Sequence, residues 1–220
     1  MADFSLIETF GWTRETGFVR LAAHLARMEA SAKTLGFQFD LETVSKSIYA
    51  KLKQVQYEIP EEKFAEGRFR AELARDGELD VKCVSFEQSP PGTIFKLAIA
   101  NTRLSSKNSL LRHKTSARNQ YASARDEFPV NEINEVLLLN ENELVCEGTI
   151  TNLFVQPHAN SQLLTPSLGC GLLPGILRAE LLEQGLAKEA YVNLDDLSAA
   201  HQLFVGNSLR GLVKAEIFNL

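Results

Sequence analysis

Two amphipathic helices stand back to back early in the chain, with no strand between them. Leu21, Leu25, Met28, Ala32 and Leu35 recur at four- and three-residue intervals, which keeps them on one helical face. Gly36 is placed to end that helix, and Asp40 to cap a second one whose apolar face is Leu41, Val44, Ile48, Leu52 and Val55. Such a pair breaks the strict strand–helix alternation of a doubly wound sheet, and the expected class is α+β.

The remaining pattern supplies strands. "IETFGW" precedes the first helix, and "RFRAELARDGELDVKCVSF" gives two strand-like runs around Asp76-Gly77, a dipeptide suited to a tight hairpin turn. "EQSPPG" continues neither element, because of its consecutive prolines, and it marks the expected boundary between a smaller α/β domain (1–88) and a larger one (93–220). Beyond it, Phe95, Leu97 and Ile99 alternate as a strand. "EVLLLN" and "ELVC" form a hairpin around Asn140–Asn142, and "TNLFVQ" and "QLLT" are short strands. "LLPGILRAELLEQG" reads as a helix with Pro174 near its first turn and Gly185 near its end. "HQLFVGNSLRGL" closes the chain as a strand running into a glycine-flanked turn.

Composition narrows the function classes. The 220 residues carry 28 acidic against 23 basic side chains, a net charge of −5, which argues against a nucleic-acid binder. No apolar run approaches a membrane span, and the N-terminus has no signal-peptide pattern. Cys83, Cys146 and Cys170 are too few and too widely spaced for a disulfide framework or a metal site. Cys83 and Cys146 read as buried thiols, and the expectation is a reduced, cytoplasmic protein without metal.

Several features invite chemistry, each with a plainer alternative. Lys114, in "LLRHKTSARNQYASARDE", reads either as a solvated charge or as an amine held where it must become neutral. Glu147 stands where a strand gives way to Gly148 and a run of hydroxyl and amide side chains. "LLPGIL" aims the N–H groups of a helix start at whatever lies before them, an anion site by construction. Asn207 and Ser208 occupy a turn that glycine opens to close approach, and Arg27 lies on the flank of the first helix's apolar face.

In order, "LIETFGW", "HLARMEASAKTLGF", "LRHKT", "VCEGTITNLF", "LLTPSLGCGLLPGILRAELL" and "FVGNSLRGL" resemble the fold-type-IV, or class IV aminotransferase, group of pyridoxal-phosphate enzymes, whose fold is that of the D-amino-acid aminotransferases. The resemblance covers almost the whole chain and is poorest between about 40 and 92. Within the group it is nearest to aminodeoxychorismate lyases, above all the lyase domain fused to aminodeoxychorismate synthase component I. It implies pyridoxal 5'-phosphate, with Lys114 forming the imine to the cofactor aldehyde and Glu147 pairing with the pyridine nitrogen. Arg27, the backbone N–H groups of Ile176 and Leu177, and Ser208 with Asn207 then bind the phosphate.

The same resemblance implies conversion of aminodeoxychorismate to p-aminobenzoate and pyruvate for folate synthesis, with Lys114 as general base. Ile7 and Thr9, on one side of the first strand, Thr149, Thr151 and Arg210 are the expected substrate contacts, with Arg68, Arg70 and Arg75 as further carboxylate binders; Glu8 faces the other way. A homodimer and a synthase partner are also implied. Stand-alone members usually begin with an extra strand and loop, so the N-terminal part reads as shortened. Alternatives are an aminotransferase of D- or branched-chain amino acids and a cofactor-binding homologue without turnover.

Overall fold

The computed structural model describes residues 4–60 and 63–218. By contact the chain falls into two units, Met1–Gln88 with His113–Ala117, and Ser89–Arg112 with Arg118–Leu220. The segment carrying Lys114 therefore belongs with the first unit, although it lies between two stretches of the second.

The first unit comprises β1 (Leu6–Thr13), β2 (Gly17–Phe18), α1 (Leu21–Leu35), α2 (Leu41–Glu58), β3 (Glu66–Leu73) and β4 (Leu79–Ser85), with sheet order β2-β1-β3-β4. Leu6, Phe10 and Trp12 of β1 join Leu25, Met28 and Ala32 of α1, Val44, Ile48, Leu52 and Val55 of α2, and Phe69, Ala71 and Leu73 of β3 in one core. Burying such a side chain contributes about 1.5–3 kcal/mol. Gly36 ends α1 in the left-handed conformation its φ of 73° requires, and Asp40 accepts from the Thr43 N–H to start α2. Leu41 departs from expectation: as the first helical residue it projects past the core and is exposed. The β3–β4 turn is also wider than a two-residue hairpin. Ala74 N–H bonds to the Glu78 carbonyl, Gly77 N–H to that of Ala74, and Gly77 takes a φ of 91°, the three-residue pattern with a left-handed glycine.

The second unit holds β5 (Ile94–Leu104), α3 (Asn119–Asp126), β6 (Glu135–Asn140), β7 (Val145–Gly148), β8 (Asn152–Gln156), β9 (Leu163–Pro166), α4 (Ile176–Glu183), β10 (Ala187–Ala190), α5 (Leu194–Ser198), β11 (Gln202–Asn207) and β12 (Gly211–Ile217). Its sheet runs β10-β9-β8-β11-β12-β5-β6-β7. The unbroken apolar run of β6 follows from burial on both faces: Leu137 and Leu139 enter one core cluster, Val136 and Leu138 another. Pro174 lies just before the N-cap Gly175 rather than inside the first turn of α4, while Gly185 follows its end with a φ of 68°. Cys146 is buried as expected, whereas Cys83 is only half-buried, its thiol pushed up to about 11 by that burial. Cys170 is buried in a short 3-10 turn, Leu168–Cys170. No described helix is long and apolar enough to cross a membrane, and no group of potential metal ligands occurs among the described residues.

Candidate active site

In the first unit the site residues are built on β1, α1 and the segment around Lys114. Alternation along β1 turns Glu8 toward α1, on the face of Leu6 and Phe10, and leaves Ile7 and Thr9 on the other. Glu8 is 1% exposed. It accepts Arg27 Nε on Oε1 at 2.8 Å, and Arg27 Nη2 on Oε2 at 2.6 Å, a two-point grip. His24, one helical turn before Arg27, bonds through Nδ1 to Oε2 of the same carboxylate at 2.6 Å. Burial alone would raise the Glu8 carboxyl, but the Arg27 charge and the bonds from His24 and Arg27 outweigh it and hold the group at about 2. An ionised carboxylate only accepts, so His24 Nδ1 carries a proton. Burial lowers the His24 pKa despite Glu8, and the Arg27 and Lys114 charges push the same way.

Lys114 sits on a segment pinned to the edge of β1. Its carbonyl accepts the Ile7 N–H at 2.8 Å, and Thr115 bridges Leu6 in antiparallel fashion. Ser116 N–H donates to the Ser5 carbonyl at 2.9 Å, and its hydroxyl accepts the Ser5 N–H at 2.8 Å. On the other side His113 Nδ1 is bonded to Ser31 Oγ of α1 at 2.9 Å. The backbone of Lys114 is thus held before and after, as a residue meant to aim an amine would require.

The β1–β3 register pairs Ile7 with Glu72, Thr9 with Arg70 and Gly11 with Arg68, so Arg68 and Arg70 share a face with Ile7 and Thr9. Ile7 itself is buried and Thr9 partly so. Arg75 lies elsewhere. It donates to the Leu35 and Gly36 carbonyls at the end of α1 and its guanidinium lies 4.4 Å from the Phe37 ring centroid, a helix-end clasp rather than a carboxylate binder.

In the second unit, Glu147 near the end of β7 is 4% exposed. Its Oε1 accepts the Tyr121 hydroxyl at 2.6 Å and the Leu173 N–H at 3.2 Å. Burial, then the charge and hydrogen bond of Glu147, raise the Tyr121 phenol well above its ordinary range, which keeps it a donor. Asn152 Nδ2 donates to the Leu173 carbonyl at 3.1 Å and lies 3.5 Å from Glu147 Oε2. These contacts bring Glu147 to the approach of α4. There Gly175 supplies no side-chain cap, so the first-turn N–H groups, those of Ile176 and Leu177 included, have none. A Cβ on Gly175 would meet Asn152 Oδ1 at 1.9 Å, and one on Gly206 would meet Leu177 Cδ2 at 2.9 Å; these two glycines let neighbouring parts close on the helix start.

Thr149 and Thr151 turn their hydroxyls inward onto Glu135, a residue the sequence pattern passed over. Glu135 is 1% exposed and also accepts the Val136, Thr149 and Ile150 N–H groups. Arg118 donates to the Thr149 carbonyl and stacks on Tyr121 at 4.3 Å, and Asn207 Nδ2 donates to the Ile150 carbonyl at 3.1 Å. The loop after Glu147 is held from three directions. Asn207 Oδ1 also takes the Leu209 and Arg210 N–H groups, so Asn207 organises the turn that carries the buried Ser208 and the half-buried Arg210.

The donor set fits pyridoxal phosphate. A buried, ionisable carboxylate suits a protonated ring nitrogen, and a glycine-capped helix start with Ser208 in a turn tied to the neighbouring loop suits a phosphate. Within the first unit, Arg27 is held by Glu8 and the backbone of Lys114 by β1.

The amino-transferase class IV pattern matches residues 5–216. A Schizosaccharomyces pombe protein provisionally named aminodeoxychorismate lyase is 32% identical over 97% of this chain and 90% of its own. A crystal structure of a Mesorhizobium loti protein, provisionally named an amino-acid aminotransferase, superposes with a TM-score of 0.92 at 45% identity, covering 98% of this chain and all of that one. The 4-amino-4-deoxychorismate lyase of Pseudomonas aeruginosa shares the fold, with a TM-score of 0.82 at 22% identity over 98% of this chain and 83% of its own. A match of such extent makes this chain a member of the amino-transferase class IV family.

Proposed function

We propose that the chain is a pyridoxal-phosphate-dependent lyase that converts 4-amino-4-deoxychorismate to p-aminobenzoate and pyruvate. The observation that carries this reading is the Glu147 carboxylate, buried under the Tyr121 hydroxyl and the Leu173 N–H at the approach to the uncapped start of α4. The end-to-end relation to the fission-yeast protein favours lyase chemistry. When bound, the cofactor supplies an electron sink for the substrate carbon that loses its proton. Lys114 would hold the cofactor through its amine and, once the substrate's amine has displaced it, would take the proton from the amine-bearing ring carbon. Glu147 keeps the ring nitrogen protonated, and Arg27, the N–H groups of Ile176 and Leu177, and Ser208 bind the phosphate, with Asn207 shaping the turn. Ile7, Thr9, Thr149, Thr151 and Arg210 border the substrate, the hydroxyls of the two threonines being taken by Glu135. The working form is a cytoplasmic homodimer supplied by an aminodeoxychorismate synthase, with the N-terminal half as its smaller domain.

A second reading, an aminotransferase, is favoured by the likeness to the Mesorhizobium loti protein. A single turnover of the cofactor-loaded protein separates the two. Release of p-aminobenzoate and pyruvate from aminodeoxychorismate supports the lyase. Formation of pyridoxamine phosphate from an amino acid alone, without p-aminobenzoate release, overturns it. Borohydride trapping and peptide mapping test Lys114 independently, and a phosphopyridoxyl label on any other lysine removes its assigned role.

A further inference from the structure

Arg27 has a part in the proposed function and Glu8 has none, yet Glu8 is a carboxylate only 1% exposed. A buried carboxylate on a core-facing strand position is costly, and an apolar residue would pack there with Leu6 and Phe10. Its two oxygens are both engaged. One takes Arg27 Nε, the other takes Arg27 Nη2 and His24 Nδ1. An arginine side chain has four rotatable bonds and loses roughly 2 kcal/mol of rotamer entropy when fixed. The Nε–Nη2 edge bound to Glu8 fixes the guanidinium plane, and with it the direction of the end-on edge that carries Nη1. His24, on the same helix face, keeps the carboxylate from rotating about its own bond.

We propose that Glu8 is a positioning residue: its carboxylate, braced by His24, fixes the direction in which Arg27 presents its guanidinium to the phosphate of the cofactor. The inference rests on the phosphate role of Arg27 in the proposed function. It also runs against simple electrostatics, because a carboxylate beside Arg27 offsets part of the charge that attracts a phosphate. Orientation and attraction therefore predict opposite effects when Glu8 is neutralised, and this makes the inference decidable.

The test compares the affinity of the cofactor-free full chain for pyridoxal phosphate and for pyridoxal, which lacks the phosphate, by absorbance titration. Glu8→Gln is expected to weaken pyridoxal phosphate about tenfold and leave pyridoxal unchanged. Equal weakening of both marks a merely structural residue, and unchanged or tighter pyridoxal phosphate binding marks attraction as dominant; either result overturns the proposal. Arg27→Ala separates the two levels. If it weakens both ligands alike, the phosphate role of Arg27 fails first; if it weakens only pyridoxal phosphate while Glu8→Gln does not, the failure belongs to Glu8 alone. Should Glu8→Gln not fold, Arg27→Lys keeps the charge but loses the two-point grip. It is expected to lose the preference for pyridoxal phosphate, and a wild-type preference overturns the proposal.

Discussion

The Tyr121 hydroxyl donates to Glu147 across 2.6 Å, and both groups are buried. A residue on α3, not one near in sequence, therefore decides how this carboxylate is held. Tyr121→Phe removes a donor from an ionised acceptor, with the Leu173 N–H and the distant Asn152 amide among the partners that stay. The expected loss is roughly 1.5–3 kcal/mol of stability, read from urea unfolding. An unchanged unfolding midpoint would show that the bond is replaced at no cost by solvent.

Glu135 organises four donors from the loop that follows Glu147, besides the N–H of its neighbour Val136. Glu135→Gln turns one acceptor oxygen into a donor facing other donors. The variant is expected to be less stable by roughly 2–3 kcal/mol, and to exchange the amide hydrogens of Thr149 and Ile150 faster. Wild-type protection at those two amides would contradict the assignment.

Gly175 has a φ of −66°, so any residue could adopt its backbone; only space forbids a side chain. Gly175→Ala forces Asn152 away from the helix start and from the Leu173 carbonyl. It should cost roughly 1–3 kcal/mol through overpacking and weaken pyridoxal phosphate binding by the cofactor-free protein. Gly185 gives the control, because a Cβ there meets nothing within 4 Å and the penalty of alanine is conformational alone, at a φ of 68°.

Acid should destabilise the first unit in two stages. His24 has a lowered pKa in the folded chain, so the unfolded chain binds that proton first and stability begins to fall as pH drops through about 6.5, its ordinary value. Glu8 is held at about 2 against an ordinary 4.5, so its contribution is complete above about 4.5 and is lost as pH falls toward 2. That second stage is of the order of 3 kcal/mol. Urea midpoints between pH 8 and pH 2 measure both, and Glu8→Gln should abolish the lower stage while its pH 8 stability drops. Identical acid profiles for wild type and variant would refute the linkage.

The elements most legible in sequence are those set by local periodicity and local caps. Leu25, Met28 and Ala32 mark the buried face of α1 because side chains three and four apart share it, and Gly36 and Asp40 act within a turn of their own positions. Glu8 was readable as facing away from Ile7, but not as the partner of Arg27, which lies nineteen residues on. Glu135 heads an apolar strand and looks like a polar edge. Its meaning comes from a loop fourteen to sixteen residues later that folds back over it. The bonds of Arg75 to the end of α1 and of the two threonine hydroxyls to Glu135 are hidden for the same reason: each partner is distant in sequence. Periodicity reports which face is wet or dry, and it carries no record of which distant polar group meets which.

The strand-edge pairing of residues 113–117 with the start of β1 has a consequence for synthesis. As the chain leaves the ribosome, β1, both helices and the β3–β4 hairpin emerge well before Lys114, and residues 89–112 must follow before the edge of β1 finds its partner. The unit that emerges first is therefore not finished until residues 89–112 of the other have been made. A fragment ending at 88 would expose the Ile7 N–H and the Ser5 carbonyl that Lys114 and Ser116 normally cover. The amine on which the proposed chemistry depends arrives together with the last piece of that sheet edge, so completing the unit and arming it are one event.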